Sequence, residues 1–327
     1  MKTRNILIIA SLVVLLTGFA ATYMVINAQS KQAEETDYEG EERDFVYFDQ
    51  IDHLTHDIEI PQNLEFAGES VPLELFYVGE RLERELLVNS YLHASTLLLL
   101  KRATRWFPVM DSIMKKNGLP EDFKYLAMIE SALTNAVSPS KAVGFWQFLE
   151  GTGKDYGLEI NREVDMRYHV ELETAAACKY LKDAYYKFGS WTLAAAAFNA
   201  GNGRISRTIS EQHVSSYYDM KLSEETERYV FRILALKLIT ENPSRYGFQI
   251  SDHLKYQPLQ YKTITVTQSI GNLADFAIEQ GTNYKMLKYF NPWLRSNTLT
   301  ISTGNSYKIK IPTGRYAMTH AKLLKGK

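Results

Sequence analysis

A nearly unbroken helical pattern over residues 119–239 constrains the fold more than any other feature of the sequence. Apolar residues recur there every three or four positions, which predicts amphipathic helices rather than strands. Two windows, residues 172–188 and Trp191–Ala200, are rich in alanine, whose small side chain lets helices pack closely. A mainly α-helical domain is therefore expected in this part of the chain.

The pattern changes toward the C-terminus. Strand-like alternation at residues 262–266 and 307–311 encloses two helical stretches, 273–280 and 284–290. Residues 242–260 have weak periodicity and two prolines, which favours a domain boundary there. The predicted fold is mainly α: an all-helical domain followed by a small α+β module with the element order βααβ.

The N-terminal segment predicts export. Lys2 and Arg4 precede an uncharged, mostly apolar stretch at residues 6–26, which is long enough to span a bilayer core of about 30 Å. Small residues around Ala20 offer a signal-peptidase site, so both a cleaved signal peptide and a retained anchor helix remain open. Basic residues ahead of the segment place everything after it outside the cytoplasm in either case.

These patterns divide the chain into five parts. The helical domain is preceded by Leu-rich amphipathic segments at 80–88 and 91–114, the second interrupted near Pro108. The predicted divisions are a signal peptide or anchor (1–30), an acidic linker with an N-terminal helical segment (31–90), the helical domain (91–248), the α+β module (258–313) and a basic tail (314–327).

Composition excludes several classes of function. The net charge of −1 supplies no overall attraction to nucleic acid. The one cysteine, Cys178, excludes an intramolecular disulfide and a multi-cysteine metal site. The histidines are scattered, and His53 with His56 is a lone pair beside acidic residues. Neither a metal nor a cofactor is expected.

Glu130 is the first candidate for chemistry. A helix start at Pro120 and a spacing of three and four place Glu130 on the same face as Phe123, Leu126 and Ala127. A carboxylate on an apolar stripe near a helix C-terminus has a raised pKa, which suits a general acid. The alternative is a structural glutamate paired with a buried arginine or lysine.

Three further segments combine polar groups with apolar surroundings. Gln147 lies among the aromatic residues of 144–148, and Asn199 precedes the glycine that ends the alanine-rich helix. Tyr229 follows the acidic start of a helix that opens at residue 225. Each has a structural alternative: a satisfied amide in an aromatic core, a helix cap, and a packed tyrosine with its hydroxyl in water.

Together, the four motifs resemble the lytic murein transglycosylases with a soluble-transglycosylase, goose-lysozyme-like domain, and most of all the membrane-bound D type with LysM modules. Phe145 replaces a leucine and Phe198 a tyrosine of the family pattern. The resemblance covers roughly residues 97–246. The matching segments are Glu130-Ser131, 144–148, 197–201 and 225–229.

The C-terminal module resembles a LysM domain. The match includes Asn291-Pro292 and the closing strand at 307–311, whereas residues 269–273 depart from the usual opening Gly-Asp-Ser/Thr-Leu. Because LysM modules bind N-acetylglucosamine polymers, the resemblance implies glycan binding. A degenerate module with a purely structural role is the alternative.

The resemblance also implies an activity and its residues. In this family one glutamate protonates the glycosidic oxygen between N-acetylmuramic acid and N-acetylglucosamine and then deprotonates the muramyl C6 hydroxyl, which closes a 1,6-anhydro ring. Glu130 matches that residue. The substrate-binding residues implied by the match are Ser131, Gln147, Phe148, Asn199 and Tyr229.

Two alternatives stay open beside the transglycosylase. A goose-type lysozyme would hydrolyse the same bond. It needs a second carboxylate or a positioned water, and the other matched motifs offer amides and a tyrosine rather than a second carboxylate. A catalytically inactive peptidoglycan-binding or scaffold protein is the second. The expected partners are peptidoglycan strands, a membrane if residues 6–26 are retained, and a regulatory envelope protein. The expected location is the cell envelope, facing the periplasm.

Overall fold

The computed structural model describes residues 57–314, and its order of elements confirms the predicted fold class. A short antiparallel hairpin, β1 (Glu65–Phe66) with β2 (Glu69–Ser70), comes first. The helices of the main body follow in chain order: α1 (Phe76–Tyr91), α2 (His93–Asn117), α3 (Lys124–Ser131), α4 (Glu150–Asp155), α5 (Val170–Phe188), α6 (Trp191–Ala200), α7 (Asn202–Gln212) and α8 (Glu224–Glu241). The C-terminal module consists of β3 (Tyr261–Val266), α9 (Leu273–Glu279), α10 (Tyr284–Phe290) and β4 (Tyr307–Pro312).

Several predictions fall outside the described residues. These are the apolar segment 6–26, the acidic stretch 31–44 and the basic tail beyond Gly314. Within residues 57–314, no helix combines the length and the apolar character needed to cross a bilayer.

The predicted break at Pro108 is wrong, because α2 runs through it without interruption. Proline removes one backbone hydrogen bond from a helix, and Pro108 is exposed, so water can reach the carbonyl that is left without its partner. α1 begins at Phe76 and packs against α8. The domain boundary at residue 91 stays a prediction.

Helix α6 lies at the centre of the helical body and fixes the position of Asn199 at its end. Residues 194–197, all alanine, are each 0% exposed, since α5 and α8 pack against α6. The N-terminus of α6 is capped twice: Ser190 Oγ accepts from the amide of Leu193, and the Glu69 carboxylate accepts from the amide of Thr192 at 2.9 Å. A negative charge at a helix N-terminus is favourable, so the hairpin anchors α6.

Helix α3 carries Glu130 and ends abruptly after it. A 3-10 turn, Glu121–Phe123, with Pro120 before it, leads into α3. Ala132 and Leu133 then adopt left-handed backbone conformations with φ of 50° and 54°, which a residue with a side chain rarely adopts and which ends the helix. Glu130 therefore lies in the last turn of α3.

The C-terminal module is held together by a buried asparagine. β3 and β4 are antiparallel with Tyr261 opposite Pro312 and Val266 opposite Tyr307. Asn291 is 0% exposed; its Nδ2 donates to the Lys310 carbonyl at 2.7 Å and its Oδ1 accepts from the Lys310 amide at 2.8 Å. These two hydrogen bonds to β4 tie the end of α10 to the sheet and explain the asparagine at position 291.

The module is docked on the loop that leads into α5. The Glu163 carboxylate accepts from the Thr298 hydroxyl at 2.5 Å and from the Thr300 amide at 2.6 Å. The amide of Asp165 donates to the Trp293 carbonyl at 2.9 Å. Because these bonds join the backbone and side chains of both parts, the module has one defined position on the helical body.

Candidate functional site

Glu130 is partly buried, and burial is the main cause of the rise in its pKa above the ordinary glutamate value. The charge of Glu225 raises the pKa further, whereas a hydrogen bond from Tyr229 and the charge of Arg232 lower it. Opposing effects therefore act on the pKa of the Glu130 carboxyl group. The raised pKa favours the protonated form, and Tyr229 and Arg232 stabilise the carboxylate once that proton has left.

Tyr229 is the direct partner of Glu130. It lies on α8, is 1% exposed, and its hydroxyl donates to Glu130 Oε1. Burial first, and then the neighbouring carboxylate, raise the pKa of Tyr229 well above its usual range. Tyr229 therefore stays protonated as a donor and leaves Glu130 Oε2 as the oxygen available for proton transfer.

Arg232 is a residue of this site that the sequence analysis missed. It lies three residues after Tyr229 on α8, and its Nη2 donates to the Ile129 carbonyl at 3.3 Å. A cation beside the end of α3 favours the ionised form of Glu130. The available signal was the helical spacing of three from Tyr229, which places both side chains on one face.

Ser131 connects α3 to the aromatic segment 144–148. Its hydroxyl is buried, 2.9 Å from the Phe145 carbonyl and 3.2 Å from the Ala127 carbonyl. These contacts occupy the hydroxyl with backbone groups. A direct contact of Ser131 with substrate stays a prediction.

The aromatic segment forms a tight turn closed by Val143 and Phe148, whose backbone groups pair at 3.0 and 3.1 Å. Gly144 has φ of 89°, and a Cβ there would lie 2.0 Å from the Arg167 carbonyl oxygen and 2.3 Å from Glu173 Oε2. Any side chain at this position collides with neighbouring atoms. A glycine is therefore required where the turn passes closest to the body.

Glu173 supports this turn from within the core and was also missed. It is 0% exposed, and its two carboxylate oxygens accept from the Phe145 amide at 3.1 Å and the Trp146 amide at 3.2 Å. Burial raises its pKa well above the ordinary value. Glu173 lies in the first turn of α5.

Gln147 and Phe148 complete the turn. Gln147 has φ of 50°, and its Nε2 donates to the carbonyls of Ala136 at 3.0 Å and Gly144 at 2.8 Å. Phe148 is buried and packs edge-on against the ring of Phe198, 5.9 Å away. The amide oxygen of Gln147 is the part of the side chain free of these bonds, and substrate contacts of both residues stay predictions.

Asn199 links the third motif to the fourth. Its Oδ1 accepts from the Thr226 hydroxyl at 2.8 Å, and its Nδ2 donates to Glu225 Oε1 at 3.4 Å. Asn199 does not cap its own helix, whose end is closed by the backbone amide of Gly201. The bond to Thr226 holds the side chain beside the start of α8, three residues before Tyr229.

The structure thus brings the four motifs together through α3, the aromatic turn, α6 and α8. Glu130 contacts Tyr229, Ser131 contacts the turn, and Asn199 contacts Thr226. The described residues contain no group of three or more histidine, cysteine, aspartate or glutamate side chains arranged to hold a metal ion.

Comparison with known proteins identifies both domains. The model of the transglycosylase SLT domain matches residues 109–220, and that of the soluble lytic transglycosylase C-terminal LysM-like domain matches residues 262–315. The membrane-bound lytic murein transglycosylase D proteins of Escherichia coli K12 and of E. coli O6:H1 are each 31% identical over 231 residues, which is 69% of this chain and 50% of each relative. The chain therefore spans about half the length of these relatives. It carries a transglycosylase SLT domain followed by a LysM-like domain of the soluble lytic transglycosylase type, and the family resemblance of its motifs is confirmed.

Proposed function

We propose that the protein is a peptidoglycan lytic transglycosylase, which cleaves the β-1,4 bond between N-acetylmuramic acid and N-acetylglucosamine and leaves a 1,6-anhydro end. The observation that carries this proposal is the contact of Tyr229 with Glu130 at the end of α3. Glu130 lies inside the matched SLT domain, residues 109–220. The two E. coli relatives are lytic murein transglycosylases by name.

One carboxyl group performs both proton transfers in this mechanism. Protonated Glu130 donates to the glycosidic oxygen, and the N-acetylglucosamine leaves with its 4-hydroxyl restored. Tyr229 and Arg232 then stabilise the carboxylate, because both lower its pKa. Glu130 next accepts the proton of the muramyl C6 hydroxyl, whose oxygen bonds to C1 and closes the anhydro ring. No water enters the products.

The remaining site residues have supporting roles in this proposal. The amide oxygen of Gln147 and the side chain of Asn199 bind the N-acetyl groups of the sugars. Ser131 and Phe148 hold the turn that carries Gln147. The LysM-like module binds the glycan strand. We place the protein in the cell envelope, with residues 6–26 as its export signal or membrane anchor; a regulatory envelope partner stays a prediction.

The products released from purified peptidoglycan test the proposal. Mass spectrometry of soluble fragments is expected to find muropeptides with 1,6-anhydro ends, and the Glu130→Gln chain is expected to release almost none. Reducing ends would indicate a hydrolytic lysozyme. In that case Glu225, whose charge acts on Glu130, is the acid to replace with glutamine. Retained binding to peptidoglycan without any release would indicate the scaffold protein.

A further inference from the structure

The C-terminal module pairs with the backbone of the loop that precedes α5. The amide of Arg295 donates to the Glu163 carbonyl at 2.7 Å. The amide of Asp165 donates to the Trp293 carbonyl at 2.9 Å. These two hydrogen bonds flank one residue of each segment and form an antiparallel β-bridge. The module therefore fixes the backbone of this loop immediately before Arg167.

Asp165 and Arg167 form a buried ion pair in the same loop. Asp165 Oδ1 accepts from Arg167 Nε at 3.0 Å, and Oδ2 accepts from Nη2 at 2.7 Å, so the pair is bidentate. Oδ1 also accepts from the backbone amide of Arg167 at 3.1 Å. The position of the guanidinium group is thus set by the backbone of residues 165–167, whose first residue is bound to the module.

The third nitrogen of this guanidinium group contacts the aromatic turn. Arg167 Nη1 donates to the Phe148 carbonyl at 3.2 Å and to the Lys141 carbonyl at 3.2 Å. These two carbonyls lie on either side of the residues that include Gln147. The carbonyl oxygen of Arg167 also lies so close to Gly144 that no side chain fits between them. Arg167 therefore contacts the turn at both ends and at Gly144.

The backbone of the aromatic turn is unfavourable without such support. Lys141 and Gln147 have φ of 62° and 50°, left-handed conformations that residues with a side chain rarely adopt. Conformations of this kind persist where surrounding contacts hold them. Glu173 binds two amides in the middle of the turn, and Arg167 binds the carbonyls at its ends.

We propose that Asp165 and Arg167 are positioning residues through which the docked module holds the aromatic turn in the conformation that places Gln147 at the substrate. The module then shapes the catalytic domain as well as binding glycan. This inference rests on the proposed function, in which Gln147 binds an N-acetyl group. The side-chain hydrogen bonds of Arg167 go to the loop and the turn, whereas Glu130 and Tyr229 lie on α3 and α8. The expected kinetic effect is therefore on KM rather than on kcat.

Hydrogen exchange of backbone amides tests the inference independently of activity. The peptide containing residues 143–148 is followed by mass spectrometry in the full-length chain, with α2 as the internal reference. Arg167→Gln should speed exchange of the turn about tenfold or more relative to α2, because the charge-assisted bonds that hold the turn are lost. Glu163→Gln weakens the docking bonds to Thr298 and Thr300, and it should speed the same exchange about threefold.

Lys237→Gln is the matched control. Lys237 lies on α8, and its ammonium group pairs with the Asp122 carboxylate at 2.6 Å and donates to the Glu65 carbonyl at 3.0 Å. This variant also loses an ion pair together with a bond to a backbone carbonyl, but none of these groups belongs to the turn. Exchange of residues 143–148 relative to α2 should therefore equal that of the parent chain.

Kinetics on soluble glycan strands gives the second measurement. Arg167→Gln should raise KM about fivefold, while the limb of the pH–rate profile that reports Glu130 stays in place. If Arg167→Gln does not fold, Arg167→Lys replaces it, because lysine keeps the charge but cannot contact Asp165 and both carbonyls at once. Its changes in exchange and KM should have the same direction and a smaller size.

Three results would overturn the inference: unchanged exchange of the turn in a folded Arg167 variant, unchanged exchange in Glu163→Gln, or faster exchange with an unchanged KM. The second would mean that the module does not act on the turn. The products of the parent chain are identified separately by mass spectrometry. Reducing ends there would contradict the proposed function and leave the exchange result as it stands.

Discussion

Glu130 and Glu173 are two glutamates of the candidate site, and they are held in different ways. Burial raises the pKa of both. Glu173 is completely enclosed and its two oxygens are bound by two backbone amides. Glu130 retains partial exposure and contacts a side chain, the hydroxyl of Tyr229, through one oxygen.

The comparison shows that a raised pKa does not by itself mark a catalytic acid. A general acid needs a proton at working pH and also an oxygen that a substrate can reach. The raised pKa of Glu130 favours the first condition, and its Oε2, which is free of the Tyr229 bond, is available for the second. Burial also raises the pKa of Glu173 and favours its protonated form, but both of its oxygens accept hydrogen bonds from backbone amides of the turn. We therefore propose Glu130 as the catalytic acid, whereas Glu173 supports the turn.

The largest expected effect is on activity, from Glu130→Gln. Removing the general acid should lower the rate of peptidoglycan cleavage by about a hundredfold or more, because the amide cannot donate and then accept the proton. Release of muropeptides per unit time is the measurement. The melting temperature should stay close to that of the parent chain. A variant with near-normal turnover would contradict the assignment.

Glu173→Gln should affect stability instead. Below about pH 4.3, where the parent chain has its full stabilisation, the loss should be about 2 kcal/mol, because the glutamine can accept from one of the two buried amides and leaves the other without an acceptor. Chemical denaturation measures this loss. Activity per folded molecule should fall much less than in Glu130→Gln. A hundredfold loss of activity in the folded Glu173→Gln chain would contradict the proposal that Glu130 is catalytic and Glu173 structural.

The same variant has an expected pH dependence. The pKa of Glu173 is raised in the folded state, whereas about 4.3 is expected when unfolded. The folded chain therefore keeps a proton that the unfolded chain has released, and this stabilisation is complete below about pH 4.3 and is lost as pH rises through the folded pKa. The stability difference between parent and Glu173→Gln should narrow with rising pH. A constant difference from pH 4 to 8 would contradict burial as the cause.

Tyr229→Phe should lower activity about tenfold and shift its pH dependence. The hydroxyl of Tyr229 lowers the pKa of Glu130, so its loss raises that pKa further. The limb of the pH–rate profile that reports Glu130 should move to higher pH. Phe231→Leu, which replaces a buried aromatic residue of the same helix, is the control for packing, and its profile should not move.

The smallest expected effect comes from Thr226→Val, which removes the hydroxyl bound to Asn199 and keeps the shape of the side chain. Asn199 then loses its fixed orientation, and an increase of about threefold in KM with little change in kcat is expected. Steady-state kinetics on soluble glycan strands measures it. If kcat fell about threefold while KM stayed unchanged, the bond between Thr226 and Asn199 would support proton transfer by Glu130 rather than sugar binding.

Sequence alone predicted what depends on local pattern. The spacing of Phe123, Leu126 and Ala127 placed Glu130 correctly on an apolar face near the end of a helix. The alternation at the C-terminus predicted both strands and both helices of the module to within one or two residues. These features follow from helical and strand periodicity, which depends only on residues close together in the sequence.

Features set by contacts between distant segments were not predicted. Glu173 is 28 residues from Phe145 along the chain, and the packing of α5 against the turn brings them together. The left-handed backbone at Ala132 and Gln147 has no glycine to signal it. Glu163 has the appearance of a solvated acid in the sequence, yet it accepts two bonds from the module.

The docking of the module has a consequence for how the protein unfolds. Val164 of the helical body and Leu294 of the module pair across the junction, are 1% and 0% exposed, and belong to one continuous hydrophobic core. Cooperative melting depends on shared buried surface, so the two domains should lose their structure in a single calorimetric transition rather than in two. Truncating the chain before residue 258 should therefore lower the stability of the helical part as well as remove the LysM-like module.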